Sequence, residues 1–356
     1  MQYRKLGTSD LNVSRICLGT MTWGVQNTYE EAAAQMDLAL EHGVNFWDTA
    51  EIYPVPPTND TAGRTEEIIG QWFEATGRRD EVLIATKMAG PAPLCRGRGL
   101  TPADVEEAVD GSLKRLKTDV IDLYQLHWPQ RQTNTFAQRD FQPFLHTSDC
   151  GEDIEGMLEA LGKMVEKGKI REIGVSNETS WGIMKYLKLA EEKGLPRIQS
   201  SQNPYSLLQR NWDTSTAEVA MQERVDLLAY SPLAGGILSG KYLDGMSPQG
   251  ARFDLPWGQG IMNRHYSNRD SVYVRQYVDL AKDHGLTPTQ LAIAFVNSRP
   301  YLGSNIIGAT SVTQLEEILS AEDVTLSEEV LDAIEELHNA FPSPSLGREG
   351  PSDNRR

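Results

Sequence analysis

Short apolar runs alternate along this chain with longer stretches whose apolar positions recur at helical spacing. The first residues read as a hairpin: Tyr3–Leu6, a turn at Gly7-Thr-Ser-Asp10, then Val13–Leu18. Further strand-like runs lie at Val44–Trp47, Val82–Thr86, Ile121–Leu126, Ile170–Val175, Ile198–Gln202, Asp226–Tyr230 and Ser304–Ile307. Helical patterns fill the intervals. A capping box, Thr28-Tyr-Glu-Glu31, opens a helix to His42 that Gly43 stops. Others are expected at Thr65–Ala75, from an N-cap Thr101 with Pro102 at N1 to about Leu116, and at Ile154–Glu166 and Thr179–Lys193. The series continues with Asn211–Gln222, Arg269–His284, Thr287–Ser298, Val312–Ser320 and Ser327–Phe341.

Counted from Ile16, eight strand runs are each followed by helix. This alternation predicts a parallel sheet, closed as a (β/α)8 TIM barrel with an N-terminal β-hairpin cap. A doubly wound sheet would need a glycine fingerprint at its first βα turn, where Leu18-Gly-Thr-Met21 has a single glycine. The expectation is a single barrel domain over 1–341 and a mobile tail over 342–356, rich in Pro, Ser and Gly. Three connections, Pro54–Arg64, Pro129–Asp153 and Gly245–Asn268, exceed plain turns. All leave the carboxyl ends of strands, where a barrel keeps its active site, and are expected to wall a substrate pocket.

The formal charge of −16 argues against nucleic acid or an anionic membrane surface as partner. Three cysteines without CxxC spacing (Cys17, Cys95 and Cys150) fit a reducing compartment. No apolar segment follows Met1-Gln-Tyr-Arg-Lys5 and no stretch approaches the ~20 apolar residues of a membrane span, so a cytoplasmic protein is expected. Six scattered histidines offer no metal-ligand spacing.

Asp48, Tyr53, Lys87 and His127 follow successive strand runs and can converge on one rim of a barrel. Together they suit proton donation to a carbonyl. A phenol with a pKa near 10 is a poor donor at neutral pH, and an adjacent ammonium lowers that pKa by stabilising the phenolate. A carboxylate keeps the ammonium charged, and an imidazole orients the carbonyl by a hydrogen bond. The roles expected are Tyr53 as general acid, Lys87 as its tuner, Asp48 as the partner of Lys87, and His127 as orienting donor. Gly235-Gly-Ile-Leu-Ser-Gly-Lys241 mimics a P-loop, but Tyr242 stands where Mg²⁺ needs a Ser or Thr.

Phe46-Trp-Asp-Thr-Ala-Glu-Ile-Tyr53, Thr86-Lys87 and Leu123-Tyr-Gln-Leu-His-Trp-Pro129 resemble the signatures of the aldo-keto reductases. Gly168-Lys-Ile-Arg-Glu-Ile-Gly-Val-Ser-Asn177 and Gln202-Asn-Pro-Tyr205 belong to the same pattern, and the likeness runs from about Tyr3 to Phe341. The Tyr53-Pro-Val-Pro-Pro57 loop is similar to a Tas-type bacterial branch, and potassium-channel β-subunits are more distant relatives.

The resemblance implies an extended NADP(H) across the carboxyl face, with NAD(H) the weaker candidate. Gly19, Thr20, Met21 and Asp48 would lie beside it, Ser176, Asn177 and Gln202 would bind the carboxamide, and Tyr230 would stack on the ring. Ser231, Pro232, Leu233, Ala234 and Gly235 would wrap the pyrophosphate. Gly308, Thr310, Gln314 and Glu317 would hold the adenosine end, with Lys241 and Arg252 as phosphate contacts. Ala309, Thr310, Gln314 and Ile318 depart from the family's more cationic adenosine motif, which weakens the support for a 2′-phosphate.

Trp23, Tyr53, His127 and Trp128 would shape a pocket for a small carbonyl substrate, and monomer is the family's default state. The resemblance leaves two functions open. One is NADPH-dependent reduction of aldehydes or ketones; the other is a nicotinamide-binding regulatory partner with slow chemistry.

Overall fold

The apolar runs become eight parallel strands hydrogen-bonded edge to edge into a closed barrel. A computed structural model describes residues 1–90, 94, 100–136, 141, 143, 151–261 and 263–345. A hairpin of β1 (Tyr3–Lys5) and β2 (Asn12–Ser14) precedes the barrel. The staves are β3 (Ile16–Gly19), β4 (Phe46–Asp48), β5 (Leu83–Met88), β6 (Ile121–Leu126), β7 (Ile170–Ser176), β8 (Ile198–Pro204), β9 (Asp226–Tyr230) and β10 (Leu302–Ile307). They neighbour one another in chain order, and β10 closes onto β3.

Between the strands run α1 (Tyr29–Glu41), α2 (Arg64–Thr76), α3 (Asp104–Leu116), α4 (Ile154–Glu166), α5 (Ser180–Lys193), α6 (Asn211–Ser215) and α7 (Ala217–Glu223). The last long loop carries two single-turn helices, α8 (Gly258–Ile261) and α9 (Asn263–Tyr266). Then come α10 (Val272–Asp283), α11 (Pro288–Asn297), α12 (Val312–Leu319) and α13 (Glu328–Ala340).

The capping box at Thr28 forms, with the Thr28 hydroxyl and the Glu31 carboxylate each accepting from the other's backbone N–H. Among the boundaries that differ from the sequence expectation, three have a clear local reason. The run Val13–Leu18 breaks at Arg15, whose N–H bonds Gln2 and whose guanidinium pairs with Glu322, so β2 stays with β1 while β3 enters the barrel. The third helix starts at Asp104 rather than Pro102, because the Thr101 N–H and hydroxyl both donate to the Asp104 carboxylate, at 2.8 and 2.7 Å. That makes Thr101 a donor instead of an N-cap acceptor. The Asn211–Gln222 helix is two, divided at Thr216, which lies within 3.0 Å of the Ser180 hydroxyl.

Apolar residues between helices and staves form the main core. A second cluster fills the barrel interior, where Leu6, Leu11 and Val13 of the hairpin meet Cys17, Phe46, Ala85, Leu123 and Leu228. The hairpin therefore plugs the amino end, and polar groups are left for the carboxyl end. The chain remains tied to the body past Phe341: Ser343 Oγ accepts from Arg210 N–H and Ser345 N–H donates to Leu208. The rest of the anticipated tail, 346–356, lies outside the described residues, as do Cys95 and Cys150. Among the described residues no helix is long and apolar enough to cross a membrane.

Candidate active site

Asp48 ends β4 at the mouth of the barrel, and three side-chain donors converge on its carboxylate. Lys87 Nζ donates to Asp48 Oδ2 at 2.7 Å and to the Thr49 carbonyl at 2.7 Å. Gln202 Nε2 and Gln125 Nε2 donate to Asp48 Oδ1, at 2.7 and 3.3 Å. Lys87 is not past its strand, as the sequence suggested, but inside β5 and 0 % exposed. Pairing of β5 with β6 opposes Lys87 to Gln125, a residue the sequence reading missed. Its signal was available: Leu123, Gln125 and His127 share a period of two and hence one face.

Tyr53 is pinned above this pair by hydrogen bonds from its N–H to Ala50 and from Gly63 N–H to its carbonyl. Its ring centroid is 4.9 Å from Lys87 Nζ and 5.7 Å from the edge-on imidazole of His127. The sequence expectation that the lysine would lower the phenol's pKa needs correction. Burial raises it, the Lys87 charge and hydrogen bond pull it back only partly, and the net shift is upward. Tyr53 is thus a protonated donor at neutral pH.

Burial opposes the charge on Lys87, but Asp48 and Tyr53 outweigh it and hold its pKa above the usual value. His127 is displaced the other way. Burial, then repulsion from Lys87, puts its pKa well below that of a free histidine, so the imidazole is neutral. Its Nδ1 is buried with no hydrogen-bond partner among the described residues.

These groups face a cavity of about 890 Å³ that runs from Tyr53 and His127 to the start of α12. Gly19, Thr20, Met21, Asp48, Ser176, Asn177, Gln202 and Tyr230 line it. Asn177 adopts φ 54°, with Nδ2 donating to the His127 carbonyl (2.9 Å) and to Ser176 Oγ (3.1 Å). Tyr230 hydroxyl donates to Asn177 Oδ1 at 2.7 Å, and Ser176 Oγ donates to the Gln202 carbonyl at 2.8 Å. One polar chain therefore joins β6, β7, β8 and β9 beneath the cavity floor.

Beyond Tyr230 the backbone turns left-handed at Ser231, Ala234, Gly235 and Gly236, with φ of 58, 49, 72 and 95°. Such turns aim backbone N–H groups at an anion. Ser231, Pro232, Leu233 and Gly235 line the cavity; Ala234 does not, being buried with its N–H bonded to Ser231. Lys241 and Arg252 line the same stretch. Burial, then repulsion from Arg252, lowers the Lys241 pKa, with Glu317 opposing. Two crowded cations of this kind favour an anion between them. Gly308, Thr310, Gln314 and Glu317 form the far end, where Gln314 Oε1 accepts from Thr310 N–H and hydroxyl at 3.0 and 3.1 Å.

Around Tyr53 the wall is His127 and Trp128, with Val55, Pro57 and Phe136 from the long loops and Ile52, which the sequence reading did not single out. Trp23 is absent from it. Its side chain is 0 % exposed in the core outside the barrel, and its carbonyl accepts from Thr65 hydroxyl at 2.8 Å.

The described parts of all three long loops contribute as expected: Val55 and Pro57, Phe136, and Pro248–Arg252 line the cavity. The start of the 129–153 loop is anchored by Arg131, which pairs with Glu152 at 2.6 Å and with both oxygens of Glu178. Most of 137–150 lies outside the described residues.

With this geometry in view, the profile of the aldo/keto reductase family matches residues 15–339. The chain belongs to the aldo/keto reductase family. It is 44 % identical over 351 residues to Protein tas of Escherichia coli (strain K12), covering 97 % of this chain and 100 % of that one. It is 35 % identical to the uncharacterized oxidoreductase YrpG of Bacillus subtilis (strain 168), over 97 % of both chains. A probable voltage-gated potassium channel subunit beta of Arabidopsis thaliana is 32 % identical over 96 % of this chain and 98 % of its own length. The family, and the one of these relatives named an oxidoreductase, support oxidoreduction as the general activity.

Proposed function

We propose that this aldo-keto reductase reduces aldehydes or ketones to alcohols with NADPH. The observation that carries the reading is a protonated Tyr53 held against the buried Lys87–Asp48 pair, beside a neutral His127, at the wall of one elongated cavity. The cavity's residues suit a dinucleotide. An amide-rich floor and Tyr230 lie next to Tyr53, left-handed turns follow, and two crowded cations stand beyond them.

When bound, the reduced nicotinamide supplies the hydride. Ser176, Asn177 and Gln202 would hold its carboxamide, and the Ser231–Gly236 backbone with Lys241 and Arg252 would hold its phosphates. His127, as a neutral imidazole, orients the substrate's carbonyl oxygen. Tyr53 delivers a proton to that oxygen as negative charge builds there. The Lys87 ammonium then stabilises the phenolate left behind, an electrostatic effect strengthened by exclusion of water. Asp48, tied to Lys87, Gln125 and Gln202, keeps the ammonium charged and aimed.

The test is NADPH consumption by the purified protein across a panel of aldehydes and ketones, with NADH in parallel. Turnover on several carbonyls, faster with NADPH, is the expected result. Tight NADPH binding with no turnover on any of them would replace this reading with a regulatory, nicotinamide-sensing role.

A further inference from the structure

Gly90 lies two residues beyond β5, against the indole of Trp128. A Cβ placed on Gly90 would fall 2.0, 2.2 and 2.3 Å from Nε1, Cε2 and Cδ1 of Trp128, far inside van der Waals contact. The backbone of Gly90 is not left-handed, so its conformation alone does not call for glycine; the indole does.

Both sides of this contact are held in place. Ala89 N–H donates to Glu51 Oε1 at 2.6 Å, fixing the exit of β5. His127 N–H donates to the Met88 carbonyl at 3.0 Å, fixing the exit of β6. Neither segment is placed to retreat from an added methyl, which leaves the indole as the part that moves.

Trp128 is the centre of an aromatic row, 4.8 Å from the His127 ring and 5.9 Å from Phe136. It also packs on the small cluster of Ala50, Ile52 and Ala89. Around His127 and Tyr53 the cavity wall is Ile52, Val55, Pro57, Trp128 and Phe136, with no charged side chain among them. The Lys87 ammonium is screened beneath Tyr53. Such a wall rewards a flat apolar group, and among the described residues around Tyr53 and His127 it carries no cationic side chain.

We propose that Gly90 is a specificity-determining residue. By having no side chain it lets Trp128 lie as the wall of the carbonyl site, which selects aromatic aldehydes and ketones over small aliphatic ones. The proposal rests on the reductase reading above.

The experiment compares wild type, G90A, W128A and the G90A/W128A double variant, using benzaldehyde and propanal as substrates. G90A is expected to raise KM for benzaldehyde roughly tenfold, the worth of one well-placed aromatic contact, and KM for propanal about twofold or less. The double variant should match W128A, because a displaced indole has no further wall to lose.

Benzyl alcohol binding to the cofactor-free proteins, followed by ligand-observed NMR, gives a readout that needs no turnover. It should weaken in G90A and be equal in W128A and the double. Absence of turnover in wild type would count against the reductase reading alone, and the binding series would still decide the role of Gly90. Equal benzaldehyde and propanal shifts, unchanged benzyl alcohol binding in G90A, or additive losses in the double would each overturn it.

Discussion

At the carbonyl end of the cavity, Asp48, Lys87 and Gln125 sit on adjacent staves whose ladder hydrogen bonds fix their spacing, and His127 follows its strand directly. At the phosphate end, Lys241 and Arg252 come from irregular segments after β9, held by turns and ring contacts rather than a ladder. At the carbonyl end the Asp48 carboxylate is held by Lys87, Gln125 and Gln202, while at the phosphate end Lys241 is repelled by Arg252. Proton transfer fails when a donor strays by an ångström, so its groups belong on rigid elements. Attraction between a phosphate and an ammonium tolerates far looser placement, and loops suffice.

The largest expected effect tests the rigid end. Tyr53→Phe should lower kcat by roughly 10²–10⁴, the usual worth of general acid–base catalysis, and leave NADPH affinity unchanged. Turnover like wild type would remove Tyr53 as the acid.

Next comes the loop that behaves like a strand. Arg131 is buried between Glu152 and Glu178, so Arg131→Met would strand two carboxylates and should cost about 3–5 kcal/mol in urea unfolding. A loss below about 1 kcal/mol would show that the 129–153 loop is anchored by other means.

At the looser end, Lys241→Ala with Arg252→Ala should weaken NADPH about 10–100-fold in fluorescence titrations and NADH by much less. Equal loss for both cofactors would place these cations on the pyrophosphate instead of a 2′-phosphate.

The smallest effect is a pH slope. With the His127 pKa depressed in the folded state, the unfolded chain binds the extra proton first. Stability contributed by this residue is full above the unfolded pKa near 6.5 and falls as pH drops through the window below it, by at most about 1.4 kcal/mol per pH unit. Urea midpoints from pH 7.5 to 5.0 should fall less steeply in His127→Gln than in wild type. Parallel slopes would refute the assignment.

The barrel was legible because apolar runs and caps recur with a period that leaves little choice of topology. Asp48 and Tyr53 were legible because five positions of chain tie them to one strand end, and the placement of His127 followed directly from its strand. Lys87 was placed one step too far along its strand because a lysine inside a barrel is indistinguishable, by polarity, from a lysine at its rim. The upward shift of Tyr53 was hidden for a related reason: burial is a property of the assembled loops, and it outweighs the lysine that the sequence does reveal. Trp23 misled because the turn over Thr20–Asn27 bends back, with Gly24 bonded to Asn27, and carries the indole away from the mouth. Gly90 carried no sequence signal at all. Its meaning lies in Trp128, thirty-eight positions away in the chain.

The plug formed by Leu6, Leu11 and Val13 makes the barrel a vessel with a sealed floor and an open rim. Foundation and workshop are then separate trades. Change at the rim, around Val55, Pro57, Phe136 and Pro248–Arg252, would redraw what the vessel accepts while the floor goes on holding the staves together. A lineage built this way can explore new substrates one loop at a time, without renegotiating the fold that carries them.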